Sequence, residues 1–147
     1  MLIAYKIEKE NIDISNLDFV LMNYDERFIR RKKLVSNKGE TFLVELSETK
    51  SLNNGDAFVL NDGRKILVKA AEEKLLEIKH INLSKIAWHI GNRHTPCQIL
   101  ENRLLIQDDV VMRDLLKKLG AKVKLIEDVF LPEGGAYGHG RTHNHKH

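Results

Sequence analysis

What most limits the folds open to this chain is a change of hydrophobic period at residues 71–75. Ahead of it, apolar residues come in short runs rich in branched and aromatic side chains: Leu2–Ile7, Phe19–Tyr24, Thr41–Leu46, Ala57–Leu60 and Lys65–Ala70. That is the pattern of strands. Turn chemistry separates them. Ser36-Asn37-Lys38-Gly39 and Asn61-Asp62-Gly63 supply residues that tolerate positive φ, so both read as hairpins, and Asn53-Asn54-Gly55-Asp56 closes a third loop. Within Thr41–Leu46, alternation puts Phe42, Val44 and Leu46 on one face, which is expected to be core. The expectation for residues 1–73 is a small antiparallel β domain. Ala71-Glu72-Glu73-Lys74 carries neither hydrophobic period and reads as a charged bridge at a domain boundary.

Beyond the bridge the predicted order is strand 75–80, helix 83–92, strand 96–100, strand 103–107, helix 109–119 and strand 121–129. In the first helix, Leu83, Ile86, Ala87 and Ile90 follow the i, i+3, i+4, i+7 stripe, with Asn82 or Ser84 as cap; His94 continues that stripe and His89 points elsewhere. In the second, Asp108 or Asp109 caps, Val111, Met112, Leu115, Leu116 and Leu119 form the buried stripe, and Gly120 stands where a helix-terminating glycine belongs. The order β-α-β-β-α-β is that of a ferredoxin-like domain, two helices on one face of a four-stranded antiparallel sheet. The predicted class is α+β, with the ferredoxin-like domain over residues 74–131. Residues 132–147 contain four glycines and almost no apolar mass, and are expected to form a mobile tail.

Composition excludes several functions. The 24 basic and 21 acidic side chains leave a net charge of only +3, so a basic surface must be local. The single cysteine, Cys97, excludes an intrachain disulfide and a cysteine-rich zinc site, and fits a reducing compartment. Charge enters the N-terminal stretch too early for a secretory signal, and no run approaches the roughly 18 apolar residues of a membrane span. A cytoplasmic protein without membrane association is expected. No Gly-rich phosphate loop, nucleophile elbow or His-Glu-x-x-His helix is present, so no catalytic residue is assigned and the chain is not read as an enzyme.

The anomaly is histidine. Of seven, four (His139, His143, His145 and His147) fall in the last nine residues. Alternate histidines on an extended chain can reach one ion together, and once one binds its neighbours are at high effective concentration. The structural alternative is a polar terminus or affinity tag, against which the spacers Asn144 and Lys146 argue. His94 is a further candidate ligand, or else a structural helix-end residue; two copies would converge if chains met across a two-fold axis. Cys97 reads better as a small buried hydrophobe than as a thiolate ligand. The run Arg27, Arg30, Arg31, Lys32 and Lys33 is either a solvated, aggregation-resistant strand edge or a nucleic-acid-binding patch.

The segment His89-Ile90-Gly91-Asn92-Arg93-His94-Thr95-Pro96, the following Gln98-Ile99-Leu100, and Phe130-Leu131-Pro132-Glu133-Gly134-Gly135-Ala136-Tyr137 leading into a histidine tail closely resemble the UreE family of urease accessory proteins, which are nickel metallochaperones. The first half is similar more loosely, through Arg31-Lys32-Lys33 and Gly55-Asp56. The resemblance implies an N-terminal β domain for partner or peptide interaction and a ferredoxin-like domain that forms a homodimer. It implies Ni²⁺ held between the two His94 side chains, completed by His143, His145 or His147, with Zn²⁺ or Cu²⁺ as other possible ions. It implies delivery to apo-urease together with an accessory GTPase. Some relatives carry extra histidines where this chain has Ile106-Gln107-Asp108-Asp109-Val110, so that secondary site is altered here, with Asp108 or Asp109 as the available oxygen donors.

Overall fold

The computed structural model describes residues 1–9 and 17–134. The chain divides into two compact units at the junction of Ala71 and Glu72. The first is a six-stranded sheet of β1 (Ile3–Glu8), β2 (Asp18–Met22), β3 (Phe28–Val35), β4 (Thr41–Ser51), β5 (Ala57–Leu60) and β6 (Lys65–Ala70), in the order β2-β6-β5-β1-β4-β3. Both predicted hairpins form: β3 pairs antiparallel with β4, and β5 with β6. The expected face of β4 is core, with Phe42, Val44 and Leu46 buried beside Ala4, Met22, Phe58 and Leu60. The Phe42 and Phe58 rings meet tilted at a centroid distance of 5.4 Å, a preferred aromatic geometry.

The sheet is mixed, which corrects the expectation of an antiparallel domain. β1 runs parallel to β4, with Ile3 opposite Leu43, and β2 runs parallel to β6. Alternation along a strand specifies which face is buried and leaves the neighbour unspecified. Here β1 inserts between β4 and β5 although the loop over 52–56 joins those two directly.

Arg27 also departs from the solvated patch expected of it. It is buried, donates from Nη1 to the Met22 carbonyl at 2.9 Å, and lies 5.7 Å from the Tyr24 ring centroid. The Nη1 bond to Met22 ties Arg27 into the turn that launches β3. Arg30, Arg31, Lys32 and Lys33 are exposed on β3, the outermost strand, as expected of a protected edge.

Asp18 ties the start of β2 to the β3–β4 turn. Its carboxylate accepts the Ser36 hydroxyl, the Lys38 amide at 3.1 Å and the Phe19 amide at 2.9 Å. Burial pushes this carboxyl up, but the Ser36 hydroxyl, the two amides and the Lys38 charge outweigh it and hold it below the usual carboxylate range.

The second unit follows the predicted order: β7 (Glu72–Lys79), α1 (Leu83–Asn92), β8 (Gln98–Ile99), β9 (Leu104–Gln107), α2 (Val110–Lys118) and β10 (Lys122–Val129). Its strands lie β10-β7-β9-β8, all antiparallel, the ferredoxin-like arrangement. Ile86 and Ile90 of α1 and Met112 and Leu116 of α2 cover Leu76, Ile78, Leu104 and Ile106. Asn82 caps α1 through the Lys85 amide at 3.2 Å, and Asp109 caps α2 through the Val111 and Met112 amides at 2.8 and 3.2 Å, each satisfying otherwise orphaned donors. No described helix is long and apolar enough to cross a membrane.

Three details differ from expectation. Glu72–Lys74 are strand, paired with Glu127–Val129, because ladder pairing continues where side-chain alternation has faded. β8 is only two residues long. Val111, expected in the buried stripe, is 62% exposed; it sits about 100° around the helix from Met112.

Asp18→Ala should lower stability by about 1 kcal/mol at neutral pH, since the Ser36 hydroxyl and the Phe19 and Lys38 amides lose their acceptor. With its pKa depressed in the fold, Asp18 stabilises fully above the unfolded value near ~4 and loses that effect as pH falls through the folded value. Urea titrations of wild type and variant should therefore differ at neutral pH and converge in acid; a constant difference would contradict the assignment.

Candidate metal centre

The end of α1 sets the geometry of His94. With Arg93 as the C-cap residue, the His94 amide donates to the Gly91 carbonyl at 2.9 Å and the Thr95 amide to the Ile90 carbonyl at 3.3 Å. These two bonds define a Schellman ending, whose hinge residue must be left-handed and is usually glycine. α2 ends the same way, with Gly120 at φ 84° donating to Lys117 at 3.0 Å and Ala121 donating to Leu116 at 3.0 Å. In α1 the hinge is His94, at φ 58°, the one non-glycine residue with positive φ among the described residues. A β-carbon there costs about 1–2 kcal/mol.

His94 is therefore not the continuation of the buried stripe that helical spacing suggests. The helix stops two residues earlier, and the reversal leaves His94 exposed. Backbone strain retained at an exposed imidazole points toward function. On α1 itself, Trp88 is 64% exposed and meets His89 edge-on at 5.1 Å between ring centroids. His80 is engaged separately, its Nδ1 accepting the Asn82 amide at 2.8 Å.

Cys97 follows three residues after His94 and packs against the helix-facing core as a partly buried side chain. Burial and then the Glu133 carboxylate push its thiol up to about 12, so in the metal-free fold it is a protonated thiol at neutral pH. Asp108 and Asp109 are likewise committed. Asp109 caps α2, and Asp108 accepts from Arg113 Nη2 at 2.6 Å.

The chain beyond β10 does not simply break off from the fold. Phe130 is fully buried, the Leu131 amide donates to Gln98 Oε1 at 3.0 Å, and the Glu133 amide donates to the Cys97 carbonyl at 2.9 Å. Residues 131–133 thus form a strap along β8 that delivers the polypeptide to within a few residues of His94. Nothing in the sequence pattern marks Gln98 as its anchor, because one side-chain amide bonding one backbone amide has no periodic signature. The histidines His139, His143, His145 and His147, and the mobility expected of the tail, lie outside the described residues. Among the described residues, no three histidine, cysteine or carboxylate side chains gather closely enough to hold an ion.

Comparison with known proteins is decisive on kinship. The model of the UreE urease accessory protein C-terminal domain matches residues 73–147, and that of the UreE N-terminal domain matches residues 3–71. The chain belongs to the UreE family of urease accessory proteins. It is 57% identical over 130 residues to the urease accessory protein UreE of Ruegeria pomeroyi, an alignment spanning 88% of this chain and 87% of the relative. Identity to the protein of the same name from Ruegeria sp. (strain TM1040) is 54%, over 89% of this chain and 74% of the relative. For that of Cereibacter sphaeroides it is 52%, over 87% and 70%. The UreE resemblance read from Gly91-Asn92-Arg93-His94 and from the segment leading into the tail is thus borne out as family membership.

Two outcomes test the geometry. His94→Gly should be more stable than His94→Ala by about 1 kcal/mol, because glycine removes the left-handed strain; equal melting temperatures would contradict a strained hinge. Alkylation of Cys97 by iodoacetamide near pH 8 should run about a thousandfold slower in the folded protein than in urea, following the thiolate fraction. A folded rate within about tenfold of the unfolded one would show that the thiol is not suppressed.

Proposed function

We propose that this UreE-family chain is a nickel metallochaperone that binds Ni²⁺ at a homodimer interface and hands it to apo-urease during assembly of the urease site. The observation that carries the reading is His94, an exposed imidazole at a helix hinge suited to glycine, beside the strap that leads into the histidine tail. One imidazole holds a metal weakly. An isologous dimer brings a second copy of the same residue to the axis without further machinery, and the exposed Trp88, Val110 and Val111 supply apolar surface in the same domain. In this reading residues 74–131 form the metal-binding and dimerisation domain, residues 132–147 the ligand-bearing tail, and residues 1–73 the partner-interaction domain.

His143, His145 and His147 complete the coordination. From Glu133 to His143 is ten residues, a contour of at most about 36 Å, so the strapped root keeps the imidazoles available to the ion at high local concentration. Such a site releases as well as binds. Tail ligands leave one at a time and a donor from the receiving complex enters by exchange, whereas a rigid closed shell would retain the ion. Acid also discharges it, since imidazole must be neutral to ligate. Nitrogen ligands bind Cu²⁺ more tightly than Ni²⁺ and accept Zn²⁺, so fidelity comes from metal supply and from the accessory GTPase and apo-urease that take the cargo. The chain carries an ion in the cytoplasm and catalyses no reaction of its own.

Calorimetric Ni²⁺ titration with light scattering tests this. Intact protein should bind one ion per dimer; truncation after Tyr137 should weaken binding; His94→Gly, which preserves the hinge, should nearly abolish it. Undiminished binding in His94→Gly would overturn the central site. Gln98→Ala, which frees the root of the strap, should cost about 0.5–1.5 kcal/mol, or roughly two- to tenfold in affinity.

A further inference from the structure

The outer edge of β3 is the feature that metal carriage does not use. β3 is eight residues long and ends the six-stranded sheet, so no described strand pairs along its outer side. Open edges of that length invite further strands, and charged side chains are one way in which proteins guard them. Here the length is kept and Arg30, Arg31, Lys32 and Lys33 stand exposed in succession, a positive strip about 13 Å long carried on both faces of the strand. Only Arg31 has an ion-pair partner among the described residues, Glu45 at 3.1 Å. The strip is held firmly: Arg27 anchors its leading turn to Met22, and the Leu52 amide donates to the Arg27 carbonyl at 2.8 Å.

We propose that the β3 edge is a docking site for an extended acidic segment of a partner protein, which adds to the sheet as a further strand. Backbone pairing supplies the attachment. Carboxylates at alternate positions share one face of the added strand and fall opposite Arg30 and Lys32, the face away from the Arg31–Glu45 ion pair, where opposite charges stabilise cross-strand pairs. The same charge sets the specificity. Two copies of this edge repel each other, as does any basic strand, so the edge resists self-association while remaining open to acidic chains. RNA fits less well. The nearby Tyr24 ring lies against Arg27, so it is not open to stack on bases.

The proposal rests on the reading of the N-terminal domain as the partner-facing unit, and its test is separate from nickel binding. The probe is a fluorescein-labelled peptide alternating Glu and Thr, about ten residues long, titrated into full-length metal-free protein and followed by anisotropy. The expected result is salt-sensitive binding that weakens at least tenfold in Arg30→Glu/Lys32→Glu and also in the milder Arg30→Gln/Lys32→Gln. The circular dichroism and Ni²⁺ affinity of both variants should be unchanged. A peptide N-methylated at alternate residues, with its charge intact, should bind at least tenfold more weakly. Absence of peptide binding, indifference to either double substitution, equal binding of the N-methylated peptide, or tighter binding of a single-stranded RNA oligonucleotide would each overturn the proposal. Loss of Ni²⁺ binding in His94→Gly with peptide binding preserved is the expected independence of the two sites.

Discussion

The reversal that closes α1 governs the chemistry of the second unit. Two amide bonds, from His94 to Gly91 and from Thr95 to Ile90, halt the helix and turn the chain outward. Ile90 is buried in the helix–sheet core, so the carbonyl that accepts the second bond is fixed by packing as well as by the helix. The exposed imidazole consequently stands on a rigid base. In the proposed dimeric site such preorganisation would count, because the entropy of placing the side chain is spent during folding. The tail histidines lie outside the described residues.

How far the sequence disclosed this architecture depends on whether a feature leaves a local trace. Helix limits were legible to within a residue because caps are local chemistry: Asn82 and Asp109 bond amides two or three positions ahead, and Gly120 occupies a hinge that glycine satisfies without strain. The ferredoxin-like order was legible because each element carries its own period. Strand neighbours were not. The parallel pairings of β1 with β4 and of β2 with β6 join residues about forty or more positions apart, and no turn between them announces the partnership.

At the site, the residue type was legible and its conformation was not. Helical spacing carries His94 onto the buried stripe, because the pattern has no glycine at the hinge to mark the stop. The strap was missed for a related reason: Gln98 and Cys97 hold residues 131–133 through amide and carbonyl groups, which hydrophobic patterning does not register. Arg27 shows the converse error. In sequence it heads a basic run; in the fold its guanidinium is enclosed at a turn while its four neighbours remain in solvent.

The placement of β1 and β7 has a consequence for biogenesis. In each unit the strand synthesised first ends in the interior of the sheet, β1 between β4 and β5, and β7 between β9 and β10. Neither sheet can close while its opening strand alone has left the ribosome; the first waits for Ala70, the second for Val129. Such sequence-distant pairing slows folding. Because the strap follows β10, its bonds to Gln98 and Cys97 are made only after both sheets are complete.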